Sequence, residues 1–377
     1  MIQLRNYQQE AVDSSLAYIK NGKTKGLIVL PTGAGKSYVI AYIAMGIGGR
    51  VLVLCPTKEI IEQNHAKFCR ECPDTTAGIY SASAGRKEVC DVTFATIGSI
   101  VEHPDLFCGF STIIIDEAHK VGDEDAKVAS MYQSFLDNMR HTQVIGLTAT
   151  PFRLNSQVEY SWKDRRAYTK SARMVSLVGD GGYFDEVISV AQVGDLINAG
   201  HLAPCEYPRC HWGPRYTPQF LDDTIRHVCT HGKGIVFTKS VKQAEDLCKQ
   251  YKAYGYPVEM LSGSTSLSKR TEMIDRFRSG EIKMLFNKKV LEIGYDDPEI
   301  DSVILLDTTY SLNSYYQMVG RAIRPLPGKT AKVYDFGWST RRFGQIQDLI
   351  YRNTAFGWQM FSGFKLITGT ELVKDFS

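Results

Sequence analysis

The chain has 377 residues, with 44 Lys and Arg against 41 Asp and Glu, a net charge of +3, and hydrophobic and charged fractions of 44% and 23%. That is room for two cores with the composition of ordinary globular protein; it excludes a fibrous or wholly disordered chain, and a charge this mild permits a nucleic-acid partner without demanding one. The nine cysteines are scattered, no basic and apolar leader with a cleavage site is seen, and the apolar runs fall far short of the ~20 residues of a membrane-spanning helix, so a cytoplasmic, reducing setting is expected.

In chain order, Gly26–Leu30 reads as a buried strand, and Pro31-Thr32-Gly33-Ala34-Gly35-Lys36-Ser37 joins it to a helix. Two glycines let backbone N–H groups converge at the positive end of that helix, a point that suits a phosphate. Lys36 can reach β and γ phosphates, and the Ser37 hydroxyl can ligate Mg²⁺. The general phosphate-loop pattern has glycine where this chain has Leu30, so the loop is a variant form. The plain alternative is a glycine-rich turn with a surface lysine.

Apolar runs at Val51–Cys55, Val92–Ala95, Thr112–Ile115 and Val144–Leu147 alternate with helical patterns, which indicates a mostly parallel sheet covered by helices. The stretch STIIIDEAHK sets Asp116 and Glu117 at the carboxyl end of one run, where ligands of such sheets sit. Asp116 is placed to hold the Mg²⁺ touched by Ser37, and Glu117 to orient and deprotonate an attacking water. An acidic helix N-cap is the bland reading. GLTATPFR brings Thr148 and Thr150 to the end of the next run.

From Phe152 to about Trp212 the pattern breaks into a polar, basic and aromatic stretch, read as an insertion and linker. Its segment YSWKDRRAYTKSARM interleaves Trp162 with Arg165 and Arg166, a combination that suits stacking on bases and contact with phosphates. A solvated loop is the competing reading. Alternation resumes at Gly234–Phe237, Val258–Leu261, Lys283–Phe286, Ser302–Leu306 and Ala331–Tyr334. Residues 1–212, with the insertion at about 153–212, are thus expected to form one α/β lobe, residues 213–340 a second, and residues 341–377 a tail. QMVGRAIRP carries Gln317, Arg321 and Arg324; at i and i+3 on a helix the two arginines share one face and can stabilise charge spread over a transferred phosphoryl group. A solvated basic helix is the alternative. Cys69 and Cys72, and the looser set Cys205, Cys210, His211, Cys229 and His231, are read as free thiols and ordinary imidazoles, not as a zinc site.

The ordered set LRNYQ, PTGAGKS, LCPTKE, FATIGS, DEAH, LTATPFR, IVFTKS, IGYDDP and QMVGRAIRP resembles the superfamily 2 helicases of DEAH type over nearly the whole chain. Within that superfamily, LRNYQQEAVDSSLAYI, RVLVLCPTKEIIEQNHAKF and VGRAIRPLPGKT look most like the RadD group and the related RecG- and UvsW-like DNA-remodelling motors. The resemblance implies two RecA-like domains with ATP in the cleft between them. Arg5 and Gln8 would read the adenine edge, because a planar amide can bond both its exocyclic amine and a ring nitrogen. Thr32, Gly33, Ala34, Gly35, Lys36 and Ser37 would hold the phosphates, Asp296 the ribose, and Gly294 would permit close approach. His119, Thr148 and Thr150 would link nucleotide to nucleic acid.

By the same resemblance Thr57, Lys58 and Thr96 in the first lobe, and Thr238, Lys239 and Asn287 in the second, would grip strand phosphates without reading sequence. The chain departs from the pattern at Ile293, where many members carry Glu or Arg before the glycine, and in lacking the RadD group's cysteine-rich, zinc-binding region after the arginine motif. The function implied is an ATP- and Mg²⁺-dependent DNA helicase or translocase moving 3′ to 5′ on single-stranded, forked or branched DNA. The alternatives are an ATP-switched nucleic-acid clamp that does not travel, and an RNA helicase.

Overall fold

The computed structural model describes residues 2–122, 126–161, 166–208, 218–288, 290–291, 295–368 and 372–373. The chain divides into two compact units, Met1–Gln192 with Ile350–Ser377, and Val193–Leu349.

The first unit runs α1 (Asn6–Lys20), β1 (Lys25–Val29), α2 (Lys36–Gly46), β2 (Val51–Leu54), α3 (Lys58–Glu71), β3 (Ala77–Ser81), β4 (Arg86–Lys87), β5 (Val92–Ala95), α4 (Ile97–Ile100), β6 (Thr112–Asp116), α5 (Ala126–Asn138), β7 (Gln143–Thr148), β8 (Phe152–Ser161), β9 (Arg166–Ser176) and β10 (Glu186–Val190). One sheet of order β10-β1-β7-β6-β2-β5-β3-β4 carries it, parallel throughout except where β4 meets β3. Its central strands are apolar end to end, as VLVL in β2 illustrates, because helices cover both faces and every position is buried.

The second unit runs α6 (Val193–Asn198), β11 (Cys205–Glu206), α7 (Pro218–His231), β12 (Gly234–Phe237), α8 (Val241–Ala253), β13 (Val258–Leu261), α9 (Leu267–Arg278), β14 (Met284–Asn287), β15 (Ser302–Leu305), α10 (Leu312–Val319), β16 (Ala331–Asp335) and α11 (Ser339–Phe343). Its sheet has the order β11-β16-β15-β12-β14-β13, with every pairing parallel. The chain then rejoins the first unit through β17 (Leu349–Thr354), β18 (Gly357–Ser362) and β19 (Lys365–Leu366), a three-stranded sheet, and β20 (Leu372–Val373), which pairs antiparallel with β9.

All ten strands expected from the sequence are present, with ends shifted by no more than a residue or two. Three features differ from expectation. The stretch after Phe152 is a long antiparallel ribbon, β8 on β9 from Phe152↔Ser176 to Ser161↔Arg166, followed by a strand that joins the main sheet. The units divide at Gln192 and again at Leu349, where boundaries near 212 and 340 were expected, because β10 pairs with β1 and the tail returns to the first unit. The third difference is a correction: Arg321 and Arg324 do not share a helix face. α10 ends at Val319 with Gly320 as its C-cap, and Pro325 disfavours helical backbone at the residue before it.

Candidate functional site

β1 feeds directly into the glycine turn and α2. Gly33 and Gly35 sit at φ 86° and 81°, a left-handed backbone that side chains oppose. A Cβ at Gly35 would also lie 2.5 Å from Gln8 Nε2. Gln8 clamps the loop: its Nε2 donates to the Ala34 carbonyl at 2.8 Å, and its Oε1 accepts from the Arg5 N–H at 3.0 Å. Tyr7 donates to the same Ala34 carbonyl at 2.8 Å, and Arg5 Nη1 reaches the Tyr7 hydroxyl at 3.2 Å. Burial, the largest influence on the Tyr7 phenol, raises it above its ordinary value. Arg5 and Gln8 thus hold the loop from behind.

The loop's own chemistry fits an anion. Among the described residues no side chain caps the first turn of α2, and while the Tyr38 N–H donates to the Gly35 carbonyl at 3.0 Å, those of Lys36 and Ser37 remain for a ligand. The Thr32 hydroxyl is buried with no hydrogen-bond partner among the described residues. Lys36 and half-buried Ser37 open the helix. Lys36 Nζ stands 3.6 Å from Glu117 Oε1 and 3.5 Å from the Leu30 carbonyl.

Asp116 is the last residue of β6 and lies buried, with Glu117 beside it. Burial first, and the neighbouring Glu117 charge second, push the Asp116 carboxyl up to about 6, against the pull of Lys36 and two hydrogen bonds. Those bonds come from Asn64 Nδ2 at 2.9 Å and the Glu117 N–H at 3.0 Å. Glu117 takes a left-handed backbone at φ 54°, uncommon for a residue with a side chain. The turn sets its carboxylate between Lys36 and His119, whose Nδ1 lies 3.4 Å from Glu117 Oε2. The set of one cation, two adjacent carboxylates and the N–H groups of Lys36 and Ser37 at the start of α2 fits a nucleoside triphosphate with a divalent cation held by Ser37 and Asp116.

From Glu117 a polar chain runs into β7. His119 Nδ1 lies 3.2 Å from Thr148 Oγ1, which donates to the Thr150 carbonyl and accepts from the Thr150 N–H, both at 3.2 Å. All three side chains are buried.

The residues assigned to nucleic acid divide by exposure. Thr57 caps α3 by accepting from the Ile60 N–H, and Lys58 pairs with Glu62 at 3.7 Å. Thr96 shares a hydroxyl cluster with Ser81 and Ser99 at the ends of β3 and β5. In the second unit Lys239 is exposed, whereas Thr238 and Asn287 are 1% and 0% accessible. Asn287 bonds the Val236 carbonyl and the Leu291 N–H, and Thr238 binds backbone carbonyls, so neither side chain reaches the surface. Trp162, Arg165 and Gly294 lie outside the described residues; Arg166 opens β9.

Also in the second unit, Arg321 donates to the Tyr295 carbonyl and to Gln317 Oε1, the latter at 3.2 Å. Arg324 pairs with Asp296, and burial lowers its guanidinium to about 10. Cys69 is exposed and Cys72 buried; among the described residues no three His, Cys, Asp or Glu gather as a metal site, and no helix is long and apolar enough to cross a membrane. Asn64 and Tyr7 escaped the sequence reading. The available signal for Asn64 was an amide in the stripe Ile60, Ile61, Phe68 that α3 buries against the sheet.

Fold and site together define a phosphate-loop protein built from two RecA-like units. Residues 1–153 match the family described as type III restriction enzyme, res subunit, and residues 217–325 match the helicase conserved C-terminal domain. Among curated relatives, the putative mitochondrial ATP-dependent helicase irc3 of Schizosaccharomyces pombe is 26% identical over 90% of this chain and 58% of its own. The DNA 3'-5' helicase XPB of Mycobacterium tuberculosis is 28% identical over 86% of this chain and 58% of its own. The ATP-dependent Type ISP restriction-modification enzyme LlaBIII bound to DNA superposes with a TM-score of 0.66 at 19% identity, covering 89% of this chain and 27% of that one. Dbp5 of S. cerevisiae bound to RNA and ADP BeF3 gives 0.62 at 16%, covering 88% and 83%. The chain therefore spans 58% of the length of either curated relative. In both family matches and in these relatives the chain is similar to superfamily 2 helicases.

Proposed function

We propose that the chain is an ATP-driven DNA motor of the DEAH type, nearest the RadD, RecG and UvsW group, which hydrolyses ATP with Mg²⁺ and moves 3′ to 5′ to unwind or remodel forked or branched DNA. The observation that carries hydrolysis is the turn at Glu117, which holds a carboxylate within reach of Lys36, next to Asp116 and tied to His119. Relatives named as DNA 3'-5' helicases support the substrate and direction.

A bound triphosphate would draw Lys36 from Glu117 to the β and γ oxygens, since phosphate carries more charge than one carboxylate. Glu117 is then left to accept the proton of the attacking water at a carboxylate oxygen. Mg²⁺, held by Ser37 and Asp116, would supply charge neutralisation at the phosphates. Arg321 and Arg324 are the second unit's candidates for the same task on the transferred group. Lys58, Lys239 and the residues of the β8–β9 ribbon would contact the DNA backbone and bases.

Triplex displacement along duplexes of increasing length tests travel. A motor gives a lag that grows with length; ATP turnover without length-dependent displacement would establish a stationary clamp in its place.

A further inference from the structure

The chain leaves the first unit after Gln192 and re-enters it at Ile350, and the residues at the two crossings hold each other. Gln192 Nε2 donates to the Tyr351 carbonyl at 2.7 Å, and the Tyr351 N–H donates to Gln192 Oε1 at 3.1 Å. The side-chain amide thus stands in for a peptide unit on the free edge of β17. The ring of Tyr351, 2% accessible, meets Phe152 edge-on at 5.4 Å and 88°, and stacks on Trp358 at 4.8 Å.

Both anchors abut the nucleotide site. Phe152 lies two residues beyond Thr150, at the end of the chain Glu117, His119, Thr148, Thr150. Gln192 follows Ala191, whose N–H donates to the Val29 carbonyl, two residues before Pro31. Since β1 lies between β10 and β7, Tyr351 straddles the two neighbours of the strand that feeds the phosphate loop.

We propose that Tyr351, held by Gln192 and Phe152, is a positioning residue that transmits the nucleotide state from the Glu117–Thr150 chain to both crossings into the second unit. Packed aromatic contacts and a two-bond amide clamp have few alternative arrangements, so a shift of Thr150 or of Val29 is passed on and not absorbed. The inference rests on the nucleotide reading of the loop, although not on the choice of DNA as substrate.

Amide hydrogen exchange with and without a non-hydrolysable ATP analogue tests it, comparing wild type with Phe152→Leu and Gln192→Ala. In wild type the analogue is expected to slow exchange at residues 33–38 and, by roughly tenfold, at residues 191–193 and 350–352. In both variants the loop response remains and the crossing response is lost; Phe152→Tyr, which keeps the ring, restores it. Protection at the loop alone in wild type, or a crossing response unchanged in both variants, overturns the inference and leaves the nucleotide reading intact. No protection at either place overturns both. Loss of the loop response in the variants assigns Phe152 and Gln192 to folding alone and also overturns it.

Discussion

Asn64 Nδ2 donates to Asp116 Oδ2 across 2.9 Å, from a helix face that otherwise presents Ile60, Ile61 and Phe68 to the sheet. That bond favours the ionised carboxylate, so Asn64→Leu, of similar volume, is expected to push Asp116 above its already raised position near 6. Loss of a partner behind a metal-binding carboxylate typically costs 10–100-fold, and we expect about tenfold lower ATP turnover at pH 7. The deficit should narrow by pH 9, where the carboxylate is ionised regardless. Wild-type turnover at pH 7 would remove Asn64 from the site.

The raised Asp116 carboxyl also makes a stability prediction. Its folded value, about 6, lies above the ordinary 3.8, so its contribution to stability is full below pH 4 and is lost as pH rises through 6. Asp116→Asn removes the buried charge, and the nucleotide-free variant should melt several degrees above wild type at pH 7.5, with the gap closing towards pH 4. Calorimetry over that range decides; a gap independent of pH would mean that burial is not what raises the carboxyl.

Most of this site was legible because its chemistry sits at the strand ends. A run such as TIIID betrays a strand buried on both faces, and a parallel sheet binds its ligands just past the carboxyl ends of such strands, so Asp116 and Lys36 could be found from pattern alone. β3 was not legible. Its sequence AGIYS is weakly apolar, and Gly78 is there for close approach: a Cβ would lie 2.8 Å from Cys90 Sγ and 2.9 Å from Glu88 Cβ. The β8–β9 ribbon hid for another reason, since a ribbon paired mainly with itself needs no continuous apolar run. Gln192 and Tyr351, bonded across 159 positions, leave no local trace in the chain.

Glu117→Gln keeps the shape of the turn and removes the proton acceptor. Nucleotide affinity should persist while turnover falls by at least 10²-fold, the range of a lost general base. Lys36→Ala should act on the other quantity, weakening nucleotide binding itself. Equilibrium binding of a fluorescent ATP analogue beside steady-state turnover separates the two, and a Glu117→Gln protein hydrolysing at the wild-type rate removes Glu117 as the base.

Arg324 is held beside Asp296 in a buried setting that already lowers a guanidinium to about 10. A lysine there loses the planar fork and, starting from a lower ordinary value, gives up its proton more readily under the same burial. Arg324→Lys is therefore expected to cut turnover by about tenfold at pH 7 and further at pH 9, with a smaller change in nucleotide affinity. A variant that loses DNA binding but keeps full DNA-stimulated turnover would make Arg324 a backbone contact.

The ribbon of β8 and β9 offers ten and eleven residues of paired strand that ATP hydrolysis does not require. In sequence, Trp162 and Arg165 fall between these strands and Arg166 opens the second. An aromatic face can stack on a base freed from the duplex, at roughly 1–3 kcal/mol, and arginines add phosphate contacts that salt weakens. The triple change Trp162→Ala, Arg165→Ala, Arg166→Ala is expected to reduce unwinding of forked DNA several-fold at low salt and less at high salt, where wild type has itself lost the arginine contacts. ATP turnover stimulated by single strands should stay near wild type, because Lys36, Asp116 and Glu117 are untouched. Unwinding and turnover both at wild-type levels across a salt titration would take the ribbon out of the DNA path; a joint loss of the two would place these residues in strand binding generally, and not at the point where the strands part.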